Sequence, residues 1–335
     1  MLIHAIVYGC IAALAFALTA IISHYLIPVL ASRKMGQKIL DIGPRWHKSK
    51  EGTPTMGGLA FLVVAFVLGI AVSIWLVIKE GAQSAAPFIM TIALALASGL
   101  IGIVDDSAKL RKKQNEGLTA AQKFLLQVLC AALYLAGMYF FGGLRDGKLY
   151  IPFADITLPL GFAFYIIALF LIVGIMNAVN LTDGIDGLAS SVTAVVSVFF
   201  GLCAFFAAEK VNAPLSAVSA LMLGICVGFL VYNFYPARVF MGDTGSLFLG
   251  GLVVGGAFLL SNPLIIVICG FVYIMETASV MLQVGYFKLT HGKRLFKMAP
   301  IHHHFEKCGW SEIKIVVIFS LITALLCGLA WLGLK

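Results

Sequence analysis

Charge is scarce in this sequence. Only 11% of the 335 residues are Asp, Glu, Lys or Arg, where an ordinary soluble domain carries about 25%. That deficit excludes a disordered chain and a soluble enzyme. A net charge of +8 does not restore a nucleic-acid partner, because the bases are too few to form a phosphate-tracking stripe. Paired cysteines are missing too. The seven present are scattered and none has CxxC spacing, so they read as small buried hydrophobes rather than a disulfide framework or a zinc site. No internal repeat or low-complexity tract stands out. The alternating segments of about ten residues that mark an outer-membrane barrel are also absent.

What the sequence has instead is long runs without charge. Residues 1–32, 52–78, 81–104, 124–144, 156–182, 187–208, 211–237, 244–275 and 315–334 contain no Asp, Glu, Lys or Arg. A membrane-spanning helix needs about 20 apolar residues, and the shortest run has 20. The expected fold is an all-α polytopic integral membrane protein. It has about ten transmembrane helices, near 3–31, 57–78, 86–104, 122–142, 159–179, 187–208, 213–232, 244–260, 263–287 and 313–334. Ser261-Asn262-Pro263 divides the long run between two of them. The first run lacks a basic leader and is followed by Arg33-Lys34. It reads as a spanning helix with its N-terminus outside, not as a signal peptide.

The loops separate by charge. Loops 32–56, 105–123, 180–186, 233–243 and 288–314 hold 18 of the 23 Lys and Arg residues, and the opposite face holds 5. The positive-inside rule makes the first set cytoplasmic, and an even helix count places both termini outside. The longest outer connection, about 143–158, contains Asp146-Gly147 and is expected to form a small hairpin with its turn there. Gly250-Gly251 and Gly255-Gly256 suit close helix packing better than a phosphate loop.

Ten of the fifteen acidic residues fall on the cytoplasmic side. Asp105-Asp106 is expected at the C-terminus of the third helix. There the helix dipole opposes both charges, and the two carboxylates repel each other. A divalent cation or a lysine would offset those costs; a solvated acidic turn is the alternative. Asn180-Leu-Thr-Asp183-Gly-Ile-Asp186-Gly is expected to open the sixth helix, with Asp183 either an N-cap or a ligand residue. Asn233 to Asp243 gathers Asn, aromatics, Arg238 and Gly in a short loop that can stack a base and bind phosphate oxygens. Asp243 there could equally be an N-cap. His302-His303-His304 cannot all face one site, because successive residues point in different directions. Acid/base or phosphate contact suits them better than zinc. Glu276 is the one acid inside an apolar segment and is a functional candidate on that ground. Lys48, Lys109, Lys113 and Lys123 could bind phosphates or simply follow the positive-inside rule.

Taken in order, Gly52-Thr-Pro-Thr-Met-Gly-Gly58, Asp105-Asp106, Asn180 to Gly187, Asn233 to Asp243 and Pro300-Ile-His-His-His-Phe-Glu306 resemble the polyprenyl-phosphate N-acetylhexosamine-1-phosphate transferases. The histidine string is similar to the muramoyl-pentapeptide branch of that family. The resemblance spans essentially the whole chain. It implies a single transmembrane catalytic domain, 1–335, in the bacterial cytoplasmic membrane, with its site on the cytoplasmic face. It implies transfer of phospho-MurNAc-pentapeptide from UDP-MurNAc-pentapeptide to undecaprenyl phosphate, giving lipid I and UMP, with Mg²⁺ required.

The resemblance also assigns roles. Asp243 binds the metal. Asp105 is the base toward the lipid phosphate, Asp106 assists, and His302 supports catalysis or diphosphate binding. Lys48, Asn180, Asp183, Asn233 and Phe240 take the uridine diphosphate side, and Lys109 and Lys123 contact phosphates. Thr53, Lys113, Asp186, His303 and His304 join them as substrate-binding residues. The partners are these two substrates and the bilayer, with no nucleic acid and a homodimer as a candidate assembly. A sister enzyme using UDP-GlcNAc is the nearest rival, and the histidine string argues against it. A transporter is the rival from another class. It would place its polar groups near the midplane, often within repeats.

Overall fold

The computed structural model describes residues 2–33, 50–112, 117–207 and 211–334. Lys48 and Lys113 lie outside these residues. Within them are nine helices long and apolar enough to cross a membrane, and a tenth span if a bent pair is counted as one. In chain order the helices are α1 Leu2–Ser32, α2 Leu59–Glu80, α3 Ala82–Lys112, α4 Ala120–Phe140, α5 Phe162–Thr182, α6 Leu188–Phe206, α7 Ala213–Asn233 and α8 Gly242–Leu259. They continue with α9 Ile266–Cys269, α10 Phe271–Leu289, α11 Ile301–Lys307 and α12 Glu312–Leu332. Helix α9, with the 3₁₀ turn Pro263–Ile265 before it, meets α10 at a bend of 78°. The all-α expectation and the break at Ser261-Asn262-Pro263 both hold.

Three local expectations are corrected. Helix α3 does not stop at residue 104 but runs to Lys112. Lys109, Leu110 and Arg111 look like loop to a hydropathy reading, yet all three are good helix formers, and nothing stops the helix until it is well clear of the apolar run. Asp105 and Asp106 are therefore nearly two turns inside the helix. The helix dipole does not oppose their charges there, since its effect fades within the last turn. Second, Asn180 closes α5 rather than opening α6, and Asp183 follows as the C-terminal cap residue of α5. Third, the outer hairpin exists but turns elsewhere. Strands β1 Lys148–Ile151 and β2 Ile156–Pro159 pair antiparallel, with Ile151 opposite Ile156. The turn is 152–155, with Phe153 and Asp155 at positive φ. Gly147 instead clasps the base of the hairpin, its carbonyl accepting from Leu160 and Gly161 N–H at 2.9 and 3.0 Å.

Helix α8 is the axis of the bundle. Every residue from Thr244 to Leu259 is buried. Without aqueous hydrophobic driving force, membrane helices associate through close packing, and the glycines of α8 allow it. A Cβ on Gly250 would stand 2.7 Å from the Met176 Cα of α5, and one on Gly251 would stand 2.8 Å from the Ala95 Cα of α3. Helix α8 is thus clamped between α3 and α5, so the three helices that carry Asp105, Asn180 and Asp243 meet at one end. All seven cysteines are free thiols.

Candidate active site

The local sequence explains how α8 begins. Met241 at its cap position supplies no side-chain hydrogen bond, so the first N–H groups of the helix need another acceptor. Asp106 of α3 supplies it. Its Oδ1 accepts from Asp243 N–H at 3.2 Å, and its Oδ2 accepts from Thr244 N–H at 2.9 Å and Thr244 Oγ1 at 2.7 Å. Asp106 caps a helix that begins 136 residues later, and so fixes Asp243 beside its own carboxylate. Gly102, one turn earlier on α3, lets the backbones approach: a Cβ there would collide with the Asp243 backbone.

Asp243 is the hub. Its Oδ2 accepts from Lys109 Nζ at 2.9 Å and Lys123 Nζ at 2.8 Å, and its Oδ1 accepts from Asn180 Nδ2 at 3.0 Å. Asn180 Nδ2 also reaches Ser246 Oγ at 2.7 Å, and Asn180 Oδ1 accepts from Lys123 Nζ at 3.3 Å. Lys109 pairs with Asp105 Oδ2 at 2.7 Å, and Asp105 Oδ1 accepts the Leu118 N–H at 2.7 Å. One oxygen from each of Asp105, Asp106 and Asp243 falls within 4.8 Å of the others. Asp105 and Asp106 are buried, Asp243 only partly. Three carboxylates offer the hard oxygen ligands that Mg²⁺ prefers, and the donor set fits that ion.

Asp183 stands beside this group. Burial first, then the charges of Asp243, Asp106 and Asp186, push its carboxyl up from 3.8 to about 8. Between these two values the folded protein holds a proton that the unfolded chain has released. Stability therefore falls as pH rises through the window, and that contribution is gone above about 8. Thermal unfolding in metal-free buffer between about pH 5 and pH 9 is expected to show this fall, and Asp183→Asn to flatten it. An identical pH slope in the variant would refute the assignment.

The histidines separate as their consecutive positions require. His302 is fully buried, and its Nδ1 lies 2.9 Å from Glu276 Oε2 on α10. Its Nε2 has no partner among the described residues, and a Cβ on Gly184 would overlap its ring. Glu276 thus belongs to the end of the bundle where the basic loops gather. His303 pairs with Glu306 at 2.6 Å. His304 accepts the Lys297 N–H at 3.1 Å and shapes the loop.

Other expected residues hold the scaffold. Asn233 is buried and donates to the Val239 carbonyl at 3.0 Å, closing the loop toward Asp243. The Phe240 backbone pairs with the segment after Thr53: its N–H donates to Pro54 O at 2.9 Å, and its carbonyl accepts from Gly57 N–H at 2.9 Å. Asp186 sits in a separate ion-pair knot with Lys50 and Glu312. The sequence reading missed Lys50, and it gave Glu312 and Thr244 no role. The hydroxyls of Thr244 and Ser246, beside Asp243 in Gly242-Asp-Thr-Gly-Ser, were the available signal for the cluster's lining.

Residues 88–262 match the model of glycosyl transferase family 4. Residues 50–62 match phospho-N-acetylmuramoyl-pentapeptide-transferase signature 1. The chain is 46% identical to a phospho-N-acetylmuramoyl-pentapeptide-transferase of Clostridium acetobutylicum over 92% of its own length and 93% of the relative's. It is 45% identical to the enzyme of that name from Clostridioides difficile, covering 96% and 95% of the two chains. For the Staphylococcus aureus enzyme the identity is 42%, over 96% and 98%.

Proposed function

The chain belongs to the phospho-N-acetylmuramoyl-pentapeptide-transferase family, and on that premise we propose how its own residues divide the work. It transfers phospho-MurNAc-pentapeptide from UDP-MurNAc-pentapeptide to undecaprenyl phosphate, giving lipid I and UMP in peptidoglycan synthesis. The sister reading, with UDP-GlcNAc as donor, is not favoured by relatives that bear the muramoyl-pentapeptide name.

The basic loops face the cytoplasm from the bacterial inner membrane, and both termini lie outside. The loop charges support this, as does a span count that is even when the bent pair is one span. The observation that carries the site assignment is the cluster of three carboxylates and two lysines where α3, α5 and α8 meet. A lipid phosphate and a soluble nucleotide can meet only at such a surface.

An oxygen of the lipid phosphate bonds to the sugar-linked phosphorus of the donor. The bond from that phosphorus to the UMP oxygen breaks, and UMP leaves with the electron pair. Both reactants are anionic, and Lys109 and Lys123 meet that charge. Asp105 accepts the proton of the lipid phosphate. Asp106 holds the α8 N-terminus and with it Asp243. Asp243 would hold Mg²⁺, with Asp105 and Asp106 in reach, and the bound ion would neutralise charge on the phosphate oxygens. Asn180 and Asp183, with Thr53, Asn233 and Phe240, form the uridine diphosphate side, and His302 supports the diphosphate through Nε2.

Mg²⁺-dependent UMP release from the purified protein with both substrates is the test. Turnover with UDP-GlcNAc alone would overturn the donor assignment. A rate unchanged by chelation would overturn the metal's role.

A further inference from the structure

Lys123 reaches Asp243 from a lightly anchored stretch of chain. No residue from Gly117 to Leu126 is buried. The stretch is tied at its start, where the Leu118 N–H meets Asp105. Thr119 and Gln122 then close a capping box that begins α4. The first buried side chain of the helix is Gln127, which is 1% exposed. It lies about one helical turn beyond Lys123.

An amide at the first inward position of a membrane helix needs a partner, because lipid offers none. Gln127 has one on α5. Its Nε2 donates to Asn177 Oδ1 at 3.2 Å, and Asn177 Nδ2 donates back to Gln127 Oε1 at 2.8 Å. Asn177 Nδ2 also donates to the Val173 carbonyl at 2.9 Å, which holds the side chain against its own helix. Asn177 is three residues before Asn180. The amide pair therefore sits about one turn from both Lys123 and Asn180, the two side chains that meet on Asp243.

The neighbouring residue, Met176, is the one against which Gly250 of α8 packs. The contacts close a circuit. Helix α8 fixes α5 at Met176, Asn177 passes that position to Gln127, and Gln127 places Lys123 against Asp243 at the start of α8. Apolar contact between membrane helices has little direction, so it would let α4 slide or turn along α5. Two amide hydrogen bonds running in opposite directions exclude both motions.

We propose that Gln127 is a positioning residue for the transfer reaction: paired with Asn177, it sets the register of α4 on α5 and so the place of the Lys123 ammonium. This rests on the assignment of Lys123 to the phosphates above.

Small displacements by residues remote from the chemistry cost up to about a hundredfold in rate. Gln127→Leu, of similar volume, is therefore expected to lower kcat for UMP release by about tenfold or more. Gln127→Leu/Asn177→Leu leaves no amide unpaired. It is expected to melt no lower than the wild-type protein and to be as slow as the single variant. The exchange Gln127→Asn/Asn177→Gln rebuilds the pair and is expected to recover most of the rate. In a Lys123→Met protein, adding Gln127→Leu is expected to cost less than about twofold, because the group it places is already gone. A wild-type kcat in folded Gln127→Leu overturns the proposal. So does a full second loss on the Lys123→Met background. So does a double leucine variant that fails to fold or melts lower, since the pair would then serve stability alone. Lys123→Met by itself separates the two failures. If it turns over normally, the assignment of Lys123 has failed; if it is slow and Gln127→Leu is not, the positioning role has.

Discussion

Asp243→Asn lowers the rate of UMP release by about a thousandfold while the protein stays folded. Asp243 is the acceptor on which Lys109, Lys123 and Asn180 converge. Asparagine keeps the shape and can still accept a hydrogen bond. It removes the charge that holds two ammonium groups in place, and the anionic oxygen that a hard cation prefers. Loss of one preorganised electrostatic group commonly costs about 10²–10³ in rate, and here one substitution touches two. The fold should survive because Asp243 caps nothing itself; Asp106 satisfies the first N–H groups of α8. Asn180→Ala, which removes one neutral donor, is expected to cost less. Steady-state turnover with melting curves of the same preparations decides the matter. Normal turnover by a folded Asp243→Asn protein would remove the cluster from the mechanism.

The second large effect falls on stability and rate together. His302→Ala leaves the fully buried Glu276 without its ring partner. Deleting one member of a buried hydrogen-bonded pair leaves the other unsatisfied, at a cost of about 1–3 kcal/mol. The same variant loses the Nε2 that points past Gly184, and with it an acid/base or phosphate contact of about 10²–10⁴ in rate. The two losses can be separated. His302→Ala/Glu276→Leu removes both polar groups and is expected to regain much of the stability without regaining the rate. If the double variant were no more stable than His302→Ala, the pair would not be coupled as its geometry indicates.

The spans were legible because charge-free runs of about 20 residues have few other uses. The acidic, Asn-rich and His-rich strings were legible because such residues are out of place in an apolar chain. Hydropathy is blind to where a helix stops in water, which is why the two turns of α3 after Val104 were missed. The capping-type residues of Asn180 to Gly187 made the string read as a helix start, although Asn180 lies in the last turn of the helix before it. Partners far apart in sequence left no trace at all. Asp106 capping α8 and Lys50 reaching Glu312 join positions 138 and 262 residues apart, and no local pattern encodes such pairs. Position within the triple histidine could not say which ring turns inward. Glu276 settles it from another helix.

The burial of α8 also bears on how the protein is made. With mean hydropathy 1.3 it is the least apolar of the nine spans, and 89% of its most apolar window is enclosed by protein. A segment so rich in glycine gains little by entering lipid alone. Its clamps, α3 and α5, come earlier in the chain and are in the bilayer when α8 leaves the ribosome. Insertion of α8 is then docking into a preformed slot rather than partition into lipid, and Asp243 reaches its place with it. A nascent chain stalled before residue 242 would present that slot open, with Asp106 lacking the α8 N–H groups it caps.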